Sequence, residues 1–332
     1  MKVAVIGDGG WGTALALTLA RNGHAPCVWG PSAEYISEIR ATRLNRKFMA
    51  GVELPASIGW TAEPAEALAG AEAVVMVVPS KYVRGTLDRF AAEFRAAGSP
   101  PVVSATKGFD EATQERMTEA IAEWWGLKTP AALSGPSIAP ETARGVPTAV
   151  TIACADEAIA RRFQDLFSGD TFRVYTSDDV RGVELGGALK NVIALAAGVC
   201  DGLGFGHNAK AALITRGLAE ITRLGVALGA HPQTFYGLSG IGDLMVTCFS
   251  PQSRNRTVGE RLGRGESLGQ ILGGMEQVAE GVCTCGPALE LARQAGVAAP
   301  VMEQVDAILH HGKAPKAAVV ELMRRDPRAE RD

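Results

Sequence analysis

Short β-branched and apolar runs alternate with amphipathic stretches through the first half of the chain. Runs at 2–6, 25–29, 58–61, 73–78, 102–105, 131–134, 147–152 and 172–175 read as strands. Their apolar character is continuous rather than alternating, as expected of strands covered on both faces. Between them, segments such as 81–97 and 111–125 return apolar residues at helical spacing and are long enough for crossover helices. That alternation predicts an α/β fold with a doubly wound, mostly parallel sheet. After about residue 177 the strand signal stops, and 180–200, 209–228, 255–262, 285–294 and 301–310 all read as helix.

The pattern divides the chain into a Rossmann-type domain over 1–177 and an all-helical domain over 178–332. At 332 residues the chain exceeds what one hydrophobic core usually serves, so two domains also follow from length. The last residues, 324–332, are charged and read as a frayed end.

Composition narrows the partners. The net charge is −3 with both signs dispersed, which leaves no electrostatic footprint for nucleic acid or an anionic membrane. Small molecules are the expected partners. The apolar run at 73–78 is far short of a bilayer span, and no membrane insertion is expected. The N-terminus lacks the apolar region and cleavage site of a secretory signal, which predicts a cytoplasmic protein. Six cysteines without C-x-x-C spacing read as reduced thiols, and five histidines offer no metal constellation.

Gly7, Gly9 and Gly12 stand in the order G-x-G-x-x-G, directly after a strand and before a helix opening. That context is the dinucleotide fingerprint. The first glycine permits a tight turn, the second lets backbone approach a pyrophosphate, and the third allows close helix-to-strand packing. An NAD site would carry Asp or Glu roughly 20 residues on, for the ribose 2′-hydroxyl. Here the residues are Val28-Trp29-Gly30-Pro31-Ser32. Without an acid nothing repels a 2′-phosphate, so NADPH is favoured over NADH.

Chemistry is carried further along. Lys107 follows the strand at 102–105 and should emerge at the carboxyl edge, where open α/β sheets bind ligands. Lys190 interrupts an otherwise small or apolar helix, a costly place for a charge. Gly186, Gly187 and Ala194 lie on its face at i−4, i−3 and i+4, and their small size predicts room for a ligand. Asp243 follows Gly240-Ile241-Gly242, and Ser253-Arg254-Asn255 offers an arginine fork at a helix start, suited to an anion.

Together these segments resemble the NAD(P)-dependent glycerol-3-phosphate dehydrogenases of the bacterial type, from Val3 through about Gly312. The motifs are Gly7-x-Gly9-x-Trp11-Gly12-Thr13-Ala14, Ala105-Thr106-Lys107-Gly108, Ser134-Gly135-Pro136-Ser137, Leu189-Lys190-Asn191-Val192-Ile193-Ala194, Gly242-Asp243-Leu244, Ser253-Arg254-Asn255-Arg256 and Glu280-Gly281. The resemblance implies interconversion of dihydroxyacetone phosphate and sn-glycerol 3-phosphate for phospholipid synthesis, a helical domain closing over a Rossmann domain, and a homodimer. It implies Lys190 as proton acceptor, with Lys107, Gly135, Ser137, Asp243, Ser253, Arg254 and Asn255 around the substrate. Gly10, Trp11, Pro31, Ala139, Val278 and Glu280, with Lys107 and Arg254, would contact the dinucleotide.

The chain departs from the family pattern at Gly10, Pro31 and Pro140. Contacts at Gly10 run through backbone, so the turn should survive; Pro31 stands where a His or Arg is frequent, which puts affinity for a 2′-phosphate in question. Two alternatives stay open from the residues alone. One is a related two-domain hydroxyacid dehydrogenase, since an arginine fork accepts a carboxylate as well as a phosphate. The other is a catalytically silent NAD(P)H sensor.

Overall fold

The computed structural model describes residues 1–275, 278–327 and 329–330. Eight strands form one sheet: β1 (Lys2–Ile6), β2 (Ala25–Trp29), β3 (Gly59–Thr61), β4 (Ala73–Met76), β5 (Val102–Ser104), β6 (Ala131–Ser134), β7 (Thr148–Ala153) and β8 (Phe172–Ser177). Their order across the sheet is β3-β2-β1-β4-β5-β6-β7-β8. All neighbours run parallel except β6 and β7. From β1 the chain winds outward to β2 and β3, then returns to the other side of β1 with β4. The carboxyl ends of β1 and β4 therefore flank the switch point, the crevice where such sheets take ligands.

Two apolar layers cover this sheet. One packs Leu15, Leu19, Ile36, Phe163 and Phe167 on one face; the other packs Phe90, Phe94, Ile121 and Trp125 on the opposite face. Coverage on both sides explains why the strands read as unbroken apolar runs. The segment expected to be helical over 111–125 begins its helix only at Met117. Asp110 accepts the Ala112 and Thr113 N–H groups at 2.9 Å each, and this local turn displaces the first part of the helix. Helices Ala33–Thr42 and Glu157–Phe167 were absent from the sequence reading. Each is opened by a side-chain cap, Ser32 and Asp156.

Beyond Ser177 every described element is helical. Asp179 caps the long helix Val180–Gly202 through Gly182 N at 2.8 Å, and its other oxygen accepts from His231 N and Thr234 Oγ1. From Gly182 to Cys200 this helix is buried throughout. Among the described residues it is the one helix long and apolar enough to cross a membrane, yet its apolar stretch is wholly surrounded by protein. It forms the axis of the second core, against Ile214, Leu224, Phe235, Leu244, Val258 and Met302.

The same helix is fastened to the sheet domain. Val183 packs on Ala132 and Ala153. Glu184 receives Arg116 NH1 at 2.6 Å, Thr118 N at 2.9 Å and Thr118 Oγ1 at 2.5 Å. Six residues on lies Lys190, so the clamp fixes the catalytic candidate relative to the crevice. All six cysteines are free thiols.

Candidate active site

At the switch point Gly7 takes φ +134°, a conformation that favours glycine, and a β-carbon there would lie 2.9 Å from the Val77 carbonyl carbon. A β-carbon on Gly12 would meet Gly7 O at 2.0 Å, whereas at Gly9 the space is open. The helix Gly10–Arg21 starts without a side-chain cap or an acidic residue in its first turn. Its leading N–H groups thus remain for an anion, and the turn fits a dinucleotide pyrophosphate. Ala139 lies against Gly10, and Pro31 is exposed just past β2. Gly10 proves to matter for more than its backbone: a β-carbon there would come 2.9 Å from Phe48 O, so glycine lets the 45–49 segment close over the turn.

Lys107 and Lys190, 83 positions apart in sequence, meet on one carboxylate. Lys107 Nζ donates to Asp243 Oδ2 at 2.6 Å and Lys190 Nζ to Asp243 Oδ1 at 2.5 Å. Lys190 also donates to Thr247 Oγ1 at 2.7 Å, and Lys107 to Gly135 O and Ser137 Oγ at 3.3 Å. A tight π turn, Leu238–Gly242, delivers Asp243 into the first turn of the helix Asp243–Phe249, where a carboxylate is favoured.

These contacts set the charges. Burial pushes the Lys190 ammonium down, and repulsion by Lys107 adds to this; Asp243 opposes both, leaving a value of about 8. Burial alone would raise Asp243, but Lys107 and Lys190 outweigh it and hold the carboxyl below its usual range. Burial raises Glu280, partly offset by Arg254, Lys107 and Lys190.

A second chain of bonds runs behind the first. Asn255 Nδ2 donates to Asn191 Oδ1 at 2.9 Å, Gly281 N donates to Asn255 Oδ1 at 2.9 Å, and Asn191 Nδ2 reaches Glu280 at 3.5 Å. Arg254 is exposed and donates to Val278 O at 2.7 Å. The Ser253 hydroxyl caps the helix Arg254–Gly263 by accepting Arg256 N at 3.2 Å, which leaves its own proton free to donate.

One expectation is corrected. Gly186 and Gly187 do not leave room for a ligand; a β-carbon would lie 2.6 Å from Ser239 O at the first and 2.5 Å from Ser134 Oγ at the second. Protein fills both spaces, and the glycines let the π turn and β6 approach the long helix. Thr247 and Asn191 were missed as site members. Thr247 stands four residues after Asp243, so i,i+4 spacing on one helix face was the available signal.

A dinucleotide turn on a sheet domain, together with a buried lysine in a helical domain that shares a carboxylate with a lysine of the sheet domain, defines a two-domain nicotinamide-dependent dehydrogenase. Models of the N- and C-terminal parts of NAD-dependent glycerol-3-phosphate dehydrogenase match residues 2–160 and 179–320. The chain belongs to that family. It is 48% identical to a glycerol-3-phosphate dehydrogenase [NAD(P)+] of Geobacter sulfurreducens, over 99% of both chains. With one from Geobacillus kaustophilus it shares 50% identity, over 100% of this chain and 96% of the relative. A crystal structure of glycerol-3-phosphate dehydrogenase from Coxiella burnetii matches with a TM-score of 0.94 at 36% identity, covering 98% and 99% of the two chains.

Proposed function

We propose that this chain reduces dihydroxyacetone phosphate to sn-glycerol 3-phosphate, reversibly, with Lys190 as the proton-transferring group. The observation that carries the role of Lys190 is its burial on Asp243 beside a second cation, Lys107. A nicotinamide bound at the glycine turn would supply or take the hydride at C2. Lys190 gives its proton to the C2 oxygen as the ketone is reduced, and recovers it from the hydroxyl in the reverse direction. Asp243 orients the ammonium and balances the two lysines. Arg254 and Asn255, at the start of one helix, suit the phosphate end of the substrate. Ser253 contributes through its hydroxyl, whose oxygen only accepts in the cap and whose proton is free to donate, while its backbone N–H is bonded to Ser250 O.

Incubating the purified chain with NADH or NADPH and dihydroxyacetone phosphate, beside small 2-oxo acids, tests the reaction. Loss of nicotinamide absorbance with dihydroxyacetone phosphate is the expected result; faster turnover of a 2-oxo acid would favour a hydroxyacid dehydrogenase instead. The cytoplasmic homodimer and the supply of phospholipid backbone that the family resemblance implies belong to the same proposal, and the mass in solution checks the dimer.

Acidity at Lys190 predicts opposite pH profiles for the two directions. Oxidation needs the neutral amine, so its kcat/KM rises with pH and levels off above about 8. Reduction needs the ammonium and falls over the same range. Asp243 stabilises the charged form, so Asp243→Asn should move both limbs to lower pH. An unmoved limb would assign it to another group.

A further inference from the structure

Asp8 stands between the first two glycines of the turn, and its side chain reaches the end of the neighbouring strand. It lies against Gly30, the residue directly after β2: a β-carbon on Gly30 would fall 2.4 Å from Asp8 Oδ2 and 2.6 Å from its Cγ. The two positions compete for one space. In dinucleotide-binding sheets an Asp or Glu from the end of the second strand takes the ribose 2′-hydroxyl there. The preference for NADPH read from the sequence rested on the lack of an acid after β2. The fold brings one in from the β1 turn.

Asp8 is held in place from behind. Its carbonyl accepts Asn45 Nδ2 at 2.8 Å, and the buried Asn45 also donates to Thr13 Oγ1 at 2.8 Å. Among the described residues no other residue hydrogen-bonds the Asp8 carboxylate. Burial raises its pKa, with its own backbone N–H and Lys47 opposing. The surrounding groups are poorly suited to a 2′-phosphate. Pro31 has no charge, Arg46 pairs with Glu38 at 3.2 Å, and Lys47 sits over the Phe48 ring.

We propose that Asp8 determines the choice of dinucleotide: its carboxylate accepts the hydroxyls of the adenosine ribose and repels a 2′-phosphate, so the chain prefers NADH. This rests on the dinucleotide reading of the turn. The test is calorimetric titration of the full chain with ADP-ribose and 2′-phospho-ADP-ribose, which needs no turnover. The native chain should bind ADP-ribose more tightly by roughly 10-fold or more. Asp8→Asn keeps the size and an acceptor but removes the charge, and should close most of that gap by strengthening the phosphorylated ligand. Moving the acid, with Asp8→Gly and Gly30→Asp together, should restore the preference for ADP-ribose. Tighter binding of the phosphorylated ligand to the native chain would overturn the proposal, as would equal weakening of both ligands by Asp8→Asn, the mark of a residue that only shapes the turn. No binding of ADP-ribose by the native chain would overturn the dinucleotide reading beneath it.

Discussion

Lys190→Met is expected to fold, to bind the dinucleotide as the native chain does, and to lose about 10²- to 10⁴-fold in kcat. Methionine matches lysine in length and suits a position flanked by Leu189 and Val192 in the buried stretch of its helix. Replacing a buried ion by an apolar group of similar volume is often tolerated. Asp243 would still hold Lys107 at 2.6 Å, so its carboxylate is not stranded. What disappears is the group proposed to carry the proton to and from the C2 oxygen. The glycine turn lies in the other domain and should be unaffected, which a dinucleotide titration checks. Lys190→Arg discriminates charge from proton transfer: it restores a cation, but arginine stays protonated and cannot serve as a base. Oxidation by the arginine variant at more than a tenth of the native rate would sink the assignment.

The sheet domain was legible because a parallel sheet writes itself as unbroken apolar runs, and the turn after β1 because its glycines answer to local geometry. Lys190 was legible as a charge where the helix had no other reason to carry one. Its partner was visible as Asp243, but nothing local to the sequence says that positions 107, 190 and 243 converge. Asn191 and Thr247 were missed because their roles come from contacts that only the packed helices create. Gly186 and Gly187 were misread for a related reason. A glycine on a helix face signals close approach, and sequence does not say whether protein or ligand approaches. Asp8 shows the converse, a residue silent in its own motif until β2 is placed beside it.

The same limit hid the feature that sets the geometry of the helical domain. Gly198 and Gly202 share one face of the helix Val180–Gly202, and Gly259 and Gly263 share one face of the helix Arg254–Gly263. The two faces meet backbone to backbone. A β-carbon on Gly198 would lie 2.0 Å from Arg256 O, one on Gly259 2.0 Å from Leu195 O, and one on Gly202 2.2 Å from Glu260 O. Carbonyl oxygens of a helix cannot rotate aside, so any side chain must push the helices apart. Alanine in a helix interior gains about 1 kcal/mol over glycine, whereas overpacking a core typically costs about 1–3 kcal/mol and occasionally more. For Gly259→Val, with two more carbons than alanine and a β-branch, the second effect should dominate and lower stability by about 3 kcal/mol or more. Separation of the helices would also stretch the Asn255 to Asn191 bond and draw Arg254 away from the site, so a surviving fraction should show a raised KM for dihydroxyacetone phosphate. Gly286→Ala is the control, because among the described residues no atom of a neighbouring segment lies within 4 Å of a β-carbon there and the helix should gain or stay level. Denaturant unfolding of the two variants beside the native chain decides the matter: a Gly259→Val midpoint equal to that of Gly286→Ala would mean that the crossing is not held by these glycines.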